Sequence, residues 1–205
     1  MPLANRVTPF GALIATPERG TLMGNRGCLH DADRRIRRPF AGKRWIICLL
    51  QFKGRRRTVM TPGQYTELFF LDEATALAAG HRPCAECQRA RYRLFREHWR
   101  APGGRALRTA DDVDAVLHDE RLDGTRGRRL HAERLARLPS GVMVADADGQ
   151  AHLLHDGVLW PWTPAGYGVP VPARGDAEVQ VLTPPSIVAA VTRGYPVGVH
   201  PSASR

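Results

Sequence analysis

The sequence predicts an α+β fold: a small β-hairpin/helix module built on a cysteine knuckle, then two helices and a small antiparallel β meander. Three observations predict it. Residues 65–99, YTELFFLDEATALAAGHRPCAECQRARYRLFREHW, read as strand, helix, Cys-x-x-Cys turn and helix. From Thr109, two stretches carry apolar residues at helical spacing. From Pro139, short apolar runs are separated by Asp-Gly and other glycine turns, which is the grammar of strands.

Taken in order, residues 1–20 look irregular, with Pro2, Pro9, Gly11, Pro17 and Gly20; Val7 and Phe10–Ile14 are expected to pin them to the core. In Met23–Asp31, MGNRGCLHD, two glycines bracket Asn25-Arg26 and predict a tight turn with close backbone approach. Cys28 and His30 share one face if that segment is extended, and Asp31 is placed to accept a hydrogen bond from the His30 ring. Lys43–Phe52 reads as a strand buried on both faces, returning through Lys53-Gly54-Arg55 as a second strand, Arg55–Met60. Cys48 lies inside the first of these and reads as a small core residue, with replacement of Cys28 as a ligand the alternative.

Glu67–Leu71 reads as a short buried strand. Asp72 caps a helix over residues 73–79, and Gly80 ends it in the left-handed conformation. After Cys87, Tyr92, Phe95 and Trp99 form one apolar stripe, with Arg89, Arg93, Arg96 and Arg100 on another face. Thr109 caps the next helix, with Asp111 and Asp112 in its first turn and Val113, Val116 and Leu117 on its buried side. Residues 128–137 predict a further amphipathic helix with Leu130, Leu135 and Leu138. The meander then runs through residues 141–145, 152–155 and 158–160, and Pro161–Gly168 reads as a rigid aromatic loop. Val179–Leu182 is one more strand, Pro184 and Pro185 open a short helix ended by Gly194, and the tail is expected to be loose apart from Tyr195 and Val197. The organisation is residues 1–105 as the knuckle module and 106–205 as helical pair plus β-rich part, the two free to share one core.

Cys84 and Cys87 can turn both sulfurs to one point, half of a tetrahedral zinc site, with Pro83 fixing the backbone before the first. A redox dithiol and two unconnected thiols are the alternatives. Redox pairs usually open a helix directly after a strand, whereas this pair follows a helix and a glycine turn. A zinc site needs two more ligands, and Cys28 and His30 are the expected ones. His30, Asp31, His81 and Glu86 are then the candidate catalytic groups near the metal. His152 and His155 form a second polar pair, or a solvated strand face.

The chain has 205 residues, 43% of them hydrophobic, and a net charge of +10. Lys43 and Lys53 are its only lysines, so the positive charge is almost all arginine. Arginine reads phosphate bidentately and stacks on bases, so nucleic acid is the first partner to expect; genomic base composition is the plain alternative. Arg34, Arg35, Arg37, Arg38, Arg55, Arg56, Arg57, Arg89, Arg93 and Arg96 are the expected phosphate contacts. No apolar run is long enough to span a membrane and no signal peptide is evident, which predicts a cytoplasmic protein. Four cysteines in a chain of this length suit cytosolic metal binding better than a disulfide scaffold.

Leu68-Phe69-Phe70, Glu73-Ala74 and Gly80-His81-Arg82-Pro83-Cys84-Ala85-Glu86-Cys87 resemble the zinc-binding module of the bacterial Ada alkylation-repair family. That family has an aromatic strand, a short helix with Glu-Ala, and a Gly-aromatic-Arg-Pro-Cys-x-x-Cys knuckle. Residues 68–87 match closely, with His81 in the aromatic position. The resemblance implies zinc, a DNA backbone partner, and two ligands from an upstream segment, which here points to Cys28 and His30. Ada carries two upstream cysteines where this chain has Cys28-Leu29-His30. Three sulfurs and one imidazole carry one negative charge fewer than four thiolates, so the zinc is expected to be mainly structural rather than methyl-accepting. The expected function is a zinc-binding protein that acts on or binds nucleic acid, DNA rather than RNA. A metal-dependent nuclease, glycosylase or alkyl-transfer enzyme is one alternative. A protein- or ligand-binding module using Trp160, Trp162 and Tyr167 is the other.

Overall fold

A computed structural model describes residues 1–55, 58–100, 109–124 and 127–204. The fold is α+β, with four helices and two sheets among those residues. The first sheet holds β1 (Ala4–Val7), β2 (Leu13–Ala15), β3 (Leu22–Asn25), β4 (Ile46–Cys48), β5 (Leu68–Phe70) and β6 (Arg82–Pro83), in the order β2-β1-β5-β3-β4-β6. β1 runs parallel to β5 and β4 parallel to β6; the other pairs are antiparallel.

Strand side chains alternate, so this sheet has two different faces. Gly24, Ile47, Leu68 and Phe70 face inward and are buried. Gly24 is required there, because a Cβ would sit 2.1 Å from the Ile46 carbonyl oxygen and 2.8 Å from the Phe70 ring. The expected tight turn at Asn25-Arg26 is therefore strand through Asn25, with the chain turning only at Gly27, φ +92°. The other face carries Met23, Asn25, Ile46, Cys48 and Phe69.

Helix α1 (Glu73–Ala78) is buried on every side. Its small residues make that possible. Ala76 and Leu77 pack with the first sheet, and Ala74 and Ala78 pack against Met143, Leu153 and Trp160 of the second. The Asp72 cap accepts from the Thr75 amide at 2.8 Å. Its other oxygen takes the Tyr167 hydroxyl at 2.8 Å and the His200 amide at 2.9 Å. Glu73 accepts from Tyr195 Oη, the Gly198 amide and Arg91. The C-terminal tail is thus docked on the start of α1 rather than loose, because two buried carboxylates need its donors.

Helices α2 (Arg89–His98), α3 (Ala110–Arg121) and α4 (Pro185–Thr192) surround this core. Phe95 and Trp99 are buried as the stripe predicted, while Tyr92 is half-buried. Thr109 and Asp112 form a reciprocal capping box at the start of α3.

The second sheet holds β7 (His131–Arg134), β8 (Val142–Ala145), β9 (Ala151–His155), β10 (Val158–Thr163), β11 (Gly166–Tyr167), β12 (Val171–Pro172) and β13 (Glu178–Val181). Its order is β11-β10-β9-β8-β13-β7, with β12 on β10. The meander is as expected. Two neighbouring stretches are not. Residues 131–134 are an antiparallel edge strand on β13, followed by a 3-10 turn at Leu135–Arg137, instead of a helix. The aromatic stretch is a hairpin, with Trp162 opposite Tyr167, rather than a rigid loop.

Arg26, Arg121 and Arg128 are held inside the fold. Arg121 donates to the carbonyls of Gly80 at 2.9 Å and Lys43 at 2.6 Å; Arg128 donates to those of Ala78 and Leu182. These acceptors include carbonyls at the negative end of α1. The Arg26 and Arg121 guanidinium carbons lie 4.0 and 3.9 Å from the Trp45 ring centroid. Part of the arginine excess is therefore structural.

Candidate metal centre

The Cys-x-x-Cys pair is positioned by a two-residue strand. β6 runs parallel to β4 in register Ile46↔Arg82 and Ile47↔Pro83. The Arg82 amide donates to Trp45 O at 3.1 Å and the Cys84 amide to Ile47 O at 2.9 Å. The residues that follow are Cys48 on one strand and Cys84 on the other, so they emerge side by side. The knuckle then turns through Ala85 and Glu86 and brings Cys87 back. The Sγ atoms of Cys48, Cys84 and Cys87 all lie within 4.8 Å of one another. A tetrahedral zinc with bonds of about 2.3 Å needs sulfurs about 3.8 Å apart, so these positions fit a metal ion with little movement.

Local electrostatics fit the same purpose. A Cys48 hydrogen bond, working against burial, brings the Cys84 thiol down to about 5, helped by the backbone amides of Cys87 and Glu86. The Glu86 amide is 3.4 Å from Cys84 Sγ. The bond to Cys84, together with burial, pushes the Cys48 thiol up, and burial first of all raises Cys87. One thiolate braced by two thiols and by amides is the state that a metal would displace protons from.

The centre lies in the wall of a cavity of about 360 Å³. Its floor is the second face of the first sheet, with Met23, Asn25, Ile46, Phe69 and Glu67. Leu49, Leu50, Phe52, Arg55, Val59 and Tyr65 complete it. The expected hairpin over residues 43–60 is absent among the described residues: β4 ends at Cys48, and Leu49 and Leu50 turn outward, 38% and 48% exposed. Arg55 and Glu86 form an ion pair of 2.8 Å among these residues.

The expected ligand set, Cys28, His30, Cys84 and Cys87, is brought together only at Cys84 and Cys87. Past Gly27, Leu29 is drawn into the core, and its amide donates to Thr66 Oγ1 at 2.8 Å. His30 follows it inward, its Nδ1 2.6 Å from Thr66 Oγ1 and its Nε2 3.2 Å from Thr61 O. Both ring nitrogens are therefore engaged. Cys28 Sγ lies 3.8 Å from His30 O. Asp31 does not support the His30 ring; it accepts from the amides of Asp33 and Arg35 and from Arg37 Nε, closing its own loop. His81 is also away from the centre. It lies between Trp45 and Phe70, with Nε2 3.1 Å from Arg26 Nε, and burial and the Arg26 charge keep it neutral.

Cys48, read from the sequence as a core residue with a ligand role as the alternative, is at the centre, and Glu67 is the residue near it that sequence reasoning missed. Alternation along Ile46-Ile47-Cys48 was the signal favouring the ligand alternative for Cys48: Ile47 is in the core, so Cys48 faces the other side.

Among the other candidates, Arg34, Arg35, Arg37, Arg38, Arg89 and Arg93 are exposed. Arg35 pairs with Asp33, and Arg37 with Asp31. Arg96 donates to Tyr92 Oη and Thr109 O. Arg56 and Arg57 lie outside the described residues. His152 pairs with Asp146 at 2.8 Å and His155 bonds Ser140 Oγ at 2.9 Å, so each has a local partner. Trp160 and Tyr167 are buried, and Trp162 Nε1 donates to Thr75 Oγ1 at 3.1 Å. These aromatics pack the second sheet onto α1 rather than forming a recognition surface.

No helix among the described residues is long and apolar enough to cross a membrane. Comparison of the chain with family models, with curated proteins and with solved structures gives no match.

Proposed function

We propose that Cys48, Cys84 and Cys87 bind one zinc ion and that the protein uses it in acting on nucleic acid. The observation that carries the reading is the meeting of three sulfurs in the wall of a cavity. Thiolates select soft or borderline metals, and zinc is the borderline ion that takes tetrahedral sulfur sites. Structural zinc sites are closed by four protein ligands, whereas catalytic ones keep three and leave a position for another molecule. Three cysteines beside a cavity fit the second pattern, which favours the enzyme alternative over a purely structural zinc. The nucleic-acid part is supported by the net charge of +10 and by the exposed arginines on the loop after β3 and on α2.

Metal analysis and X-ray absorption of the purified protein test this. One zinc per chain is expected, with three sulfurs and one lighter donor. Cys48→Ser should lose it, while Cys28→Ser and His30→Ala should keep it. A four-sulfur shell, or zinc retained by Cys48→Ser, overturns the assignment.

A further inference from the structure

We propose that the three-cysteine centre takes its fourth donor from a neutral nitrogen heterocycle bound in the adjoining cavity, and that Glu67 accepts a hydrogen bond from the same ring. The inference rests on the zinc reading above. Its first support is the ligand count: among the described residues, no further His, Cys, Asp or Glu atom joins the three sulfurs. Glu86, inside the knuckle, is paired with Arg55 at 2.8 Å.

The second support is the position of Glu67. Cys48 pairs with Met23 on β3, and Met23 with Phe69 on β5. Glu67 is two residues before Phe69, hence on the same face, and it lines the same cavity as the cysteines. Strands two apart are separated by roughly 10 Å, and Glu67 is offset two residues along its strand, so its backbone is roughly 12 Å from that of Cys48. Two side chains reaching inward and one five- or six-membered ring fill that span.

The third support is chemical. Glu67 is 4% exposed. Its Oε2 accepts from the Met60 amide at 2.7 Å, and among the described residues no protein hydrogen bond reaches Oε1. Oε1 is open to the cavity, free to accept from a donor bound there. Three thiolates on a divalent ion already leave net negative charge, so a carboxylate beside them repels a further anion. The ligand is then neutral, with a lone pair for the metal and an N–H for Glu67. Metal-bound imidazole with its second nitrogen on a carboxylate is the general form of this arrangement. Phe52, Tyr65 and Phe69 supply walls for a planar ring, and the cavity is within the size range of small-ligand sites. Imidazoles and nucleobases share this chemistry.

Full-length protein loaded with cobalt(II) reports both steps. Sulfur-to-cobalt charge-transfer absorption shows that the centre forms; its absence would remove the zinc reading and this inference together. Imidazole is then titrated while the cobalt d–d bands are followed. The bands should shift and saturate, with imidazole and 4-methylimidazole binding about tenfold more tightly than N-methylimidazole, which lacks the N–H. Glu67→Gln, which can still accept from Met60, should keep the cobalt and shrink that preference. Unchanged bands in cobalt-loaded protein, equal affinity for all three azoles, or a preference that survives Glu67→Gln would overturn this inference alone.

Discussion

Arg82 and Asp114 are joined by two guanidinium–carboxylate hydrogen bonds, of 2.9 and 2.6 Å, with both side chains at most 4% exposed. Arg82 is in β6, two residues before Cys84, and Asp114 is in α3. The pair therefore fixes the knuckle to a helix that contributes no candidate ligand. Burial raises the Asp114 carboxyl against the pull of Arg82, so either charge left there without the other is costly. Asp114→Ala should destabilise by about 3–5 kcal/mol, because a buried guanidinium loses its counter-charge. Arg82→Met/Asp114→Leu should recover most of that loss. Urea unfolding of the single and double variants gives the coupling directly; equal losses in both would show that packing, not charge, sets the cost.

Gly80 sets the other side of the knuckle. Its φ is +83°, and a Cβ there would lie 2.8 Å from Arg121 Cδ. Arg121 is fully buried and donates to the Gly80 carbonyl, so it has little room to withdraw. Gly80→Ala combines a left-handed alanine, about 1–2 kcal/mol, with that collision. A loss of at least this size is expected in thermal unfolding, together with weaker metal retention, since residues 81–84 follow the glycine. A stability loss with metal affinity unchanged would separate the turn from the centre.

A metal that joins β4 to the knuckle should also stabilise the fold. Zinc at a hundredfold excess over its dissociation constant adds about 2.7 kcal/mol. For a chain of this length that is a rise in Tm of about 5–10 °C. A strong chelator should remove the rise in wild type and in Cys28→Ser. It should change nothing in Cys48→Ser. A chelator effect that depends on Cys28 instead would return the ligand set to the one expected from the sequence.

That difference marks what the sequence could convey. Asp72 and Thr109 were legible as caps because a cap is a local event, a side chain bonding an amide three residues on. The meander was legible because its strands alternate and its turns carry glycine. The centre depends on two-residue β6 pairing with β4, more than 30 residues earlier, and so short a pairing leaves no period to read. Cys28 and His30 have the right residue types at a plausible spacing, but Leu29 between them belongs to the core and carries His30 towards Thr66. The edge strand His131–Arg134 was hidden for a different reason. Its residues, His-Ala-Glu-Arg, carry no large apolar side chain and are half-buried or exposed, while Leu130, Leu135 and Leu138 around it mimic a helical spacing.

The arginine surface gives the last prediction. Arg26 and Arg121 are buried on carbonyls and on Trp45, and the guanidinium of half-buried Arg128 is held by the carbonyls of Ala78 and Leu182, so all three are committed to the fold. Arg55 and Arg37 are paired with Glu86 and Asp31. Among the described residues, no ion pair engages Arg34, Arg38, Arg89 or Arg93, and all four are exposed. If nucleic acid is the partner, these carry the phosphate contacts. Binding to duplex DNA should then weaken as salt rises. Each arginine replaced by alanine should reduce the slope of log K against log salt by about 0.9 if it neutralises one phosphate. Arg89→Ala/Arg93→Ala should therefore lower the slope by about 1.8, while exposed Arg174→Ala, on a loop of the second sheet's side of the chain, should leave it unchanged. Fluorescence anisotropy across a salt series measures both. A slope near zero in wild type, or one untouched by the α2 pair, would assign the positive charge to the fold and to solubility.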